Sequence, residues 1–102
     1  MSSTGTEVNE VIDAEVFIFT KDACPDCSRL KSQLDRKGIP YTFLNVTKEG
    51  NEAYLDQIKE EGVQQMPYTK TKKVGNWTGV RPDKVLELNS AIKAEQQELA
   101  AA

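Results

Sequence analysis

The chain has 102 residues, of which 38% are apolar and 28% are charged, enough for one compact domain and too few for two. Its net charge of −3 and the lack of a long basic run argue against nucleic acid as an electrostatic partner. Residues 1–15 are polar and acidic, and no apolar stretch reaches membrane-spanning length. We therefore expect a cytoplasmic protein with no secretory signal and no membrane association.

The first half of the chain predicts a strand, a helix and a second strand. Residues 1–14 are expected to form a flexible leader. The apolar run at 15–20 is rich in β-forming residues, which is typical of a buried parallel strand. A helical apolar stripe follows over 24–38, with a proline near its start and a glycine at its end. Residues 40–47 then predict the second strand.

The second half of the chain predicts a helix, a hairpin and a final helix. The helix is predicted over 50–62 and is followed by a loop that carries Pro67. The dipeptide Gly75-Asn76 predicts a two-residue turn between two strands. The last helix is predicted over 82–97, and residues 99–102 are expected to fray as a tail.

This element order, βαβ-α-ββ-α, predicts an α/β domain over residues 15–98. The crossover helix makes the first two strands parallel, and the hairpin adds two antiparallel strands. The result is a central mixed four-stranded sheet flanked by helices.

The first arm of the hairpin carries three lysines, Lys70, Lys72 and Lys73. A lysine-rich strand is typical of an exposed sheet edge. The alternative interpretation is a docking patch for an acidic partner.

The stretch CPDC holds the only two cysteines of the chain, Cys24 and Cys27. Cys24 is predicted at the N-cap of the first helix, where unpaired backbone N–H groups and the helix dipole favour the thiolate, the attacking species in disulfide exchange. Cys27 lies one turn later on the apolar stripe and is expected to be buried and less reactive. Pro25 suits the first helical position. Asp26 opposes a neighbouring thiolate, and Lys21 is a candidate to offset it.

Three interpretations of the cysteine pair remain open at this point. A C-x-x-C pair near a βαβ pattern favours redox chemistry. A structural zinc site needs about four ligands, and the chain has no second cysteine pair and no histidine, so no metal site is predicted within one chain. A metal or cluster shared between two chains, and a dithiol that is only structural, are the alternatives.

The residues resemble the thioredoxin superfamily and, within it, the glutaredoxin family. The stretch VFIFTKDACPDCSRLKSQLDRKGIPYTFLNV is similar to a glutaredoxin opening, and QQMPY lies where that family has its proline loop. The resemblance covers about residues 15–95. It implies a thioredoxin fold and a cis peptide bond before Pro67, with the Met66 backbone turned toward the bound partner. Met66 itself departs from the small residue or threonine usual there.

A second stretch, WTGVRPDKV, is similar to the signature of the NrdH-redoxins, which are glutaredoxin-like proteins with thioredoxin-like activity. Val80 departs from that signature because an aromatic residue is usual there. Helix-start chemistry also explains Arg81 and Asp83, so we expect their role to be mostly structural, and we expect Trp77 to lie in the core. The substrate-binding residues that the resemblance implies are Lys21, Pro25, Asp26, Met66, Pro67, Gly79, Arg81 and Asp83.

The resemblance implies a monomeric thiol–disulfide oxidoreductase with no bound cofactor. Cys24 is the expected nucleophile that attacks a protein disulfide, and Cys27 is the expected resolving cysteine. Electrons are expected from thioredoxin reductase and NADPH or from glutathione, and a ribonucleotide reductase is a candidate substrate. The alternatives are a glutathione-dependent glutaredoxin and a thioredoxin-fold binding module with an idle dithiol.

Overall fold

The structure, a computed structural model, describes residues 5–101. These residues form five strands and three helices in the chain order β1, β2, α1, β3, α2, β4, β5, α3. The strands are β1 (Gly5–Glu7), β2 (Val16–Thr20), β3 (Tyr41–Asn45), β4 (Tyr68–Thr71) and β5 (Gly75–Thr78). The helices are α1 (Pro25–Arg36), α2 (Glu52–Glu60) and α3 (Pro82–Ala101). From β2 onward, the predicted order βαβ-α-ββ-α is confirmed.

The strands form one mixed sheet with the order β1-β3-β2-β4-β5. Strand β3 pairs in parallel with β1 and β2, whereas β4 pairs antiparallel with β2 and β5. All five residues of β2 are buried because this central strand is covered on both faces. The carboxyl end of β2 leads directly to the first cysteine.

The sheet has five strands, so the prediction of four was wrong by one. Residues Gly5–Glu7, which were expected within the leader, pair with β3, and the Val8 N–H extends the pairing to the Phe43 carbonyl at 2.9 Å. The Gly5 backbone lies against the Tyr41 ring so closely that an added Cβ would overlap it. These three residues are polar and lack the alternation of apolar and polar side chains from which a strand is predicted, so β1 was not predictable from the sequence.

The core lies on both sides of β2. Val16 and Ile18 point to one face, toward α1 and α3, and Trp77 belongs to this cluster, as predicted. Phe17 and Phe19 point to the other face and pack in a second cluster with Ile58 of α2. The alternation of a β-strand thus fixes α1 above the sheet and α2 below it.

The hairpin differs from the prediction in the position of its turn. Residues 72–74 form the turn, and Gly75 and Asn76 already belong to β5. Gly75 has a φ of +82° and pairs with Thr71. This matches a three-residue loop closed by a residue in the left-handed region, a conformation that glycine adopts without steric cost.

Strand β4 lies inside the sheet, so the interpretation of its lysines as guards of an edge strand was wrong. The Lys70 ammonium lies 5.7 Å from the centre of the Phe19 ring and 5.6 Å from the centre of the Tyr68 ring, within the range of a cation–π contact. The three lysines of the hairpin also form ion pairs within the chain, with Glu61, Asp13, Glu15 and Glu95. These pairs weaken the alternative interpretation as a docking patch.

Helix α3 begins at Pro82, as predicted, but continues through Ala101 rather than ending at 97. Its last residues are exposed, and their alanines and glutamates are good helix formers. Between residues 5 and 101, no helix is both long and apolar enough to cross a bilayer.

Candidate active site

The two cysteines lie where β2 ends and α1 begins. Cys24 is the N-cap of α1, with an extended backbone, and its Sγ accepts a hydrogen bond from the Cys27 N–H at 3.1 Å. The two sulfurs are joined in a disulfide, and their Cα atoms lie 5.3 Å apart. Cys24 is half-buried, whereas Cys27 is only 3% exposed. The predicted N-cap position of Cys24 and the predicted burial of Cys27 are confirmed.

A groove of about 870 Å³ opens beside Cys24 on the α2 side of the sheet. We call it the α2 groove. Its floor is apolar and includes Leu55, Ile58 and Met66, and its rim carries several charges. Five residues named from the sequence line it, namely Lys21, Cys24, Pro25, Asp26 and Met66. Sequence reasoning missed the other two cations of this rim, Arg29 and Lys59.

The charge of Asp26 is offset by a different cation from the one expected. Arg29 donates a hydrogen bond to Asp26 at 3.1 Å, one turn along α1, whereas Lys21 is exposed on the preceding loop. Both side chains of the pair are largely exposed, so the pair contributes little to stability. Its effect is local, because the carboxylate next to the cysteines is held by a cation.

The loop that carries Pro67 forms the other wall of the groove. The Met66–Pro67 peptide bond is cis, as predicted, and the Pro67 side chain is fully buried. The Pro67 carbonyl accepts a hydrogen bond from the Gly79 N–H at 2.8 Å. Gly79 is buried, and a Cβ there would lie 3.1 Å from the Gln65 side-chain nitrogen. Gly79 therefore braces the proline loop from behind and does not line the groove.

The comparisons with known proteins agree with this geometry. The family model for glutaredoxin matches residues 16–69, which is more than half of the chain. The chain belongs to the glutaredoxin family. It is also 25% identical over 79 residues to the glutaredoxin-like protein NrdH of Escherichia coli strain K12, a match that covers 78% of this chain and 94% of that protein.

Two solved structures of glutaredoxin-like proteins show the same fold. The NrdH-redoxin of Escherichia coli superposes with a TM-score of 0.64 at 23% identity, covering 72% of this chain and 92% of that one. The glutaredoxin of Archaeoglobus fulgidus gives a TM-score of 0.62 at 22% identity, covering 74% of this chain and 85% of that one. The thioredoxin-like fold implied by the sequence is confirmed.

Arg81 and Asp83 lie outside the α2 groove of this glutaredoxin-family chain. The Arg81 guanidinium donates two hydrogen bonds to the Asp83 carboxylate, at 3.1 and 2.9 Å. The hydrogen bond from Arg81 lowers the pKa of Asp83, and the same contact raises the pKa of Arg81. Both residues are exposed at the start of α3. Their placement fits the helix-start interpretation, and neither residue is among those that line the α2 groove.

A polar network missed by sequence reasoning holds the loop in front of Cys24. The Asn45 side chain donates to Asp22 at 2.7 Å and accepts from the Thr47 N–H at 2.9 Å. The Thr47 hydroxyl accepts from the Asp22 N–H at 3.0 Å. Ala23, the residue before Cys24, has a φ of +52°, a left-handed conformation that costs about 1–3 kcal/mol for a residue other than glycine. The network anchors Asp22, the residue directly before Ala23 in the loop that leads to the nucleophile.

We expect Asn45→Ala to destabilise the chain by about 1–2 kcal/mol, because it removes hydrogen bonds worth about 0.5–1.5 kcal/mol each. Urea unfolding measures this loss. Asn76→Ala is the matched control, since Asn76 is exposed on β5 and donates one long bond of 3.4 Å, to Tyr68. Equal destabilisation by the two substitutions would show that the network does not support the loop.

A second cleft, of about 550 Å³, opens on the other side of Cys24 and reaches Cys27. We call it the β1 cleft because Glu7 of β1 forms one wall; Lys31 and Phe43 are also among its lining residues. Within the described part of the chain, no group of three or more cysteine, aspartate or glutamate side chains is arranged to hold a metal ion.

Proposed function

We propose that the chain reduces protein disulfides through a cycle of its two cysteines. The observation that carries the proposal is the disulfide between a half-exposed N-cap Cys24, which lines the α2 groove, and a buried Cys27. An N-cap position favours a thiolate at Cys24 once the pair is reduced. Burial keeps Cys27 away from bulky partners and leaves it within reach of Cys24.

The cycle moves two electrons from the dithiol to the substrate. The Cys24 thiolate attacks one sulfur of the substrate disulfide, so that a mixed disulfide forms and the other substrate sulfur leaves as a thiolate. The Cys27 thiol then loses its proton and attacks the Cys24 sulfur. The second substrate sulfur leaves, and the Cys24–Cys27 disulfide of the structure is the oxidised product. A reductase or a small thiol restores the dithiol.

We propose thioredoxin reductase, supplied by NADPH, as the electron donor. The WTGVRPDKV stretch and the similarity to the E. coli NrdH protein support this choice. The solved NrdH-redoxin is described as having a thioredoxin-like activity profile. On the same grounds we propose a cytoplasmic, monomeric protein whose substrate is a protein disulfide, with ribonucleotide reductase as the candidate.

Glutathione is the second candidate donor, because the rim of the α2 groove favours it. Lys21, Arg29 and Lys59 line this groove, and glutathione carries two carboxylates beside its thiol. The single acid at the rim, Asp26, is already paired with Arg29. The groove is therefore able to attract an acidic tripeptide even though the whole chain has a net charge of −3.

NADPH oxidation in the presence of a protein disulfide separates the two donors. One reaction contains thioredoxin reductase, and the other contains glutathione with glutathione reductase. We expect turnover in the reaction with thioredoxin reductase and none in the reaction with glutathione. Turnover only with glutathione would replace the proposed donor and leave the cysteine cycle intact. If neither reaction shows turnover while the control proteins are active, the proposed oxidoreductase activity is contradicted. A binding module with an idle dithiol would then be favoured.

A further inference from the structure

Cys27 borders one of the two clefts beside Cys24 and not the other. The α2 groove is lined by Cys24 but not by Cys27, whereas both cysteines line the β1 cleft. A proton that leaves the Cys27 thiol therefore has a path through the β1 cleft. The charges along that cleft act on Cys27 while it becomes a thiolate.

Lys31 is the cation of α1 that shares this cleft with Cys27. It lies four residues after Cys27, so the two side chains stand on the same helix face with Cβ atoms about 5–6 Å apart. Long helical side chains point toward the preceding turn, and this direction brings the lysine toward the cysteine. The Lys31 ammonium lies 3.6 Å from the centre of the Phe43 ring, which holds it at the cleft.

Two acidic residues, Glu7 and Asp22, line the β1 cleft together with Lys31, and each also accepts a hydrogen bond from another residue. Glu7 accepts a hydrogen bond from Lys48 at 2.8 Å, and Asp22 accepts one from Asn45 at 2.7 Å. Burial lowers the pKa of Lys31, and the charges of Glu7 and Asp35 act in the opposite direction.

The other cation in the lining of the β1 cleft is Lys21, on the exposed loop before Cys24. Lys31 is half-buried and stands on the helix that carries Cys27. Electrostatic interactions strengthen where water is partly excluded, so a half-buried cation acts more strongly on a nearby thiolate than an exposed one.

We propose that Lys31 is a positioning residue for the second half of the cycle, where its ammonium stabilises the Cys27 thiolate across the β1 cleft. The inference rests on the proposed function. The Cys27 S–H bond breaks and its proton passes to water in the cleft. The thiolate attacks the Cys24 sulfur, a Cys24–Cys27 bond forms, and the bond from Cys24 to the substrate sulfur breaks. The leaving thiolate takes up a proton from solvent.

Dithiodipyridine separates the two halves of the cycle without a reductase or a protein substrate. The reduced chain releases one thiopyridone when Cys24 attacks and a second when Cys27 displaces the pyridyl group. Stopped-flow absorbance follows both phases between about pH 5 and 9. Lys31→Met removes the charge and keeps the aliphatic stem, Lys31→Arg keeps a charge, and Lys37→Met makes the same change of net charge at the far end of α1.

We expect Lys31→Met to leave the first phase unchanged and to slow the second about tenfold at neutral pH, with the pH midpoint of the second phase about one unit higher. Lys31→Arg and Lys37→Met are expected to show the same second-phase rate and the same pH midpoint as the unsubstituted chain. The inference is overturned if Lys31→Met has a normal second phase, if Lys31→Arg is equally slow, or if Lys37→Met slows it as much. A parent chain without a first phase would overturn the proposed function itself.

Discussion

Replacing Cys24 with serine is expected to abolish disulfide reduction, whereas replacing Cys27 with serine is expected to trap the substrate on Cys24. A serine hydroxyl is not ionised at neutral pH and does not attack a disulfide, so Cys24→Ser leaves only the uncatalysed rate. Cys27→Ser keeps the N-cap nucleophile and removes the sulfur that releases the partner. The difference follows from the positions of the two sulfurs, one at the groove and one buried beneath it.

Intact mass measured under non-reducing conditions distinguishes the two variants. Cys27→Ser should gain the mass of one substrate thiol and lose it after treatment with a reductant, and Cys24→Ser should gain none. Ser28→Ala is the matched control, because Ser28 is exposed on the next position of α1 and should keep full turnover. Full activity in Cys24→Ser, or a partner trapped at Cys27, would show that the two roles are assigned wrongly.

Leu30→Ala is expected to destabilise the chain by about 2–5 kcal/mol, the usual cost of a cavity in a packed core. Leu30 is fully buried and lies one turn after Cys27, where it fixes α1 against the sheet. Native domains of this size have a free energy of unfolding of about 5–15 kcal/mol, so the loss is a large fraction of the total. The active site depends on this contact because α1 carries Cys27 and has Cys24 as its N-cap.

Chemical denaturation measures this effect, with Leu86→Ala as the control. Leu86 lies on α3 and is 55% exposed, so the same substitution is expected to change the free energy of unfolding by less than about 0.5 kcal/mol. Similar losses in the two variants would contradict the assignment of Leu30 to the core. A normal midpoint for Leu30→Ala would show that α1 does not depend on that contact.

The elements with the strongest local patterns were predictable. The apolar run of β2 and the helical stripe of α1 with its CPDC start placed the cysteines at the carboxyl end of a buried strand, and the structure confirms that placement. The family resemblance supplied the cis bond before Pro67, which sequence statistics alone disfavour. The local sequence pattern of a strand does not show which strands lie beside it in the sheet. Lysine-rich β4 was therefore placed at an edge, although it lies between β2 and β5.

The residues of the candidate site that are neighbours in sequence were predictable. The residues that meet only through tertiary contacts were not. The cysteines and their neighbours lie within one short stretch of sequence, whereas Asn45 and Thr47 reach the Asp22 loop from another strand. Lys59 reaches the α2 groove from a helix distant in sequence. Asparagine and threonine at a strand end are common and carry no signal by themselves. Only the parallel pairing of β2 with β3 brings them to the nucleophile loop.

The central claim is that Cys24 and Cys27 form a reversible, redox-active pair. Equilibration of the purified chain in buffers of graded glutathione potential, followed by alkylation and mass measurement, tests it most directly. We expect both thiols to appear together, at a potential between about −120 and −270 mV, the range of catalytic dithiols. A pair that stays oxidised below about −300 mV, as structural disulfides do, or thiols that titrate independently, would contradict the account.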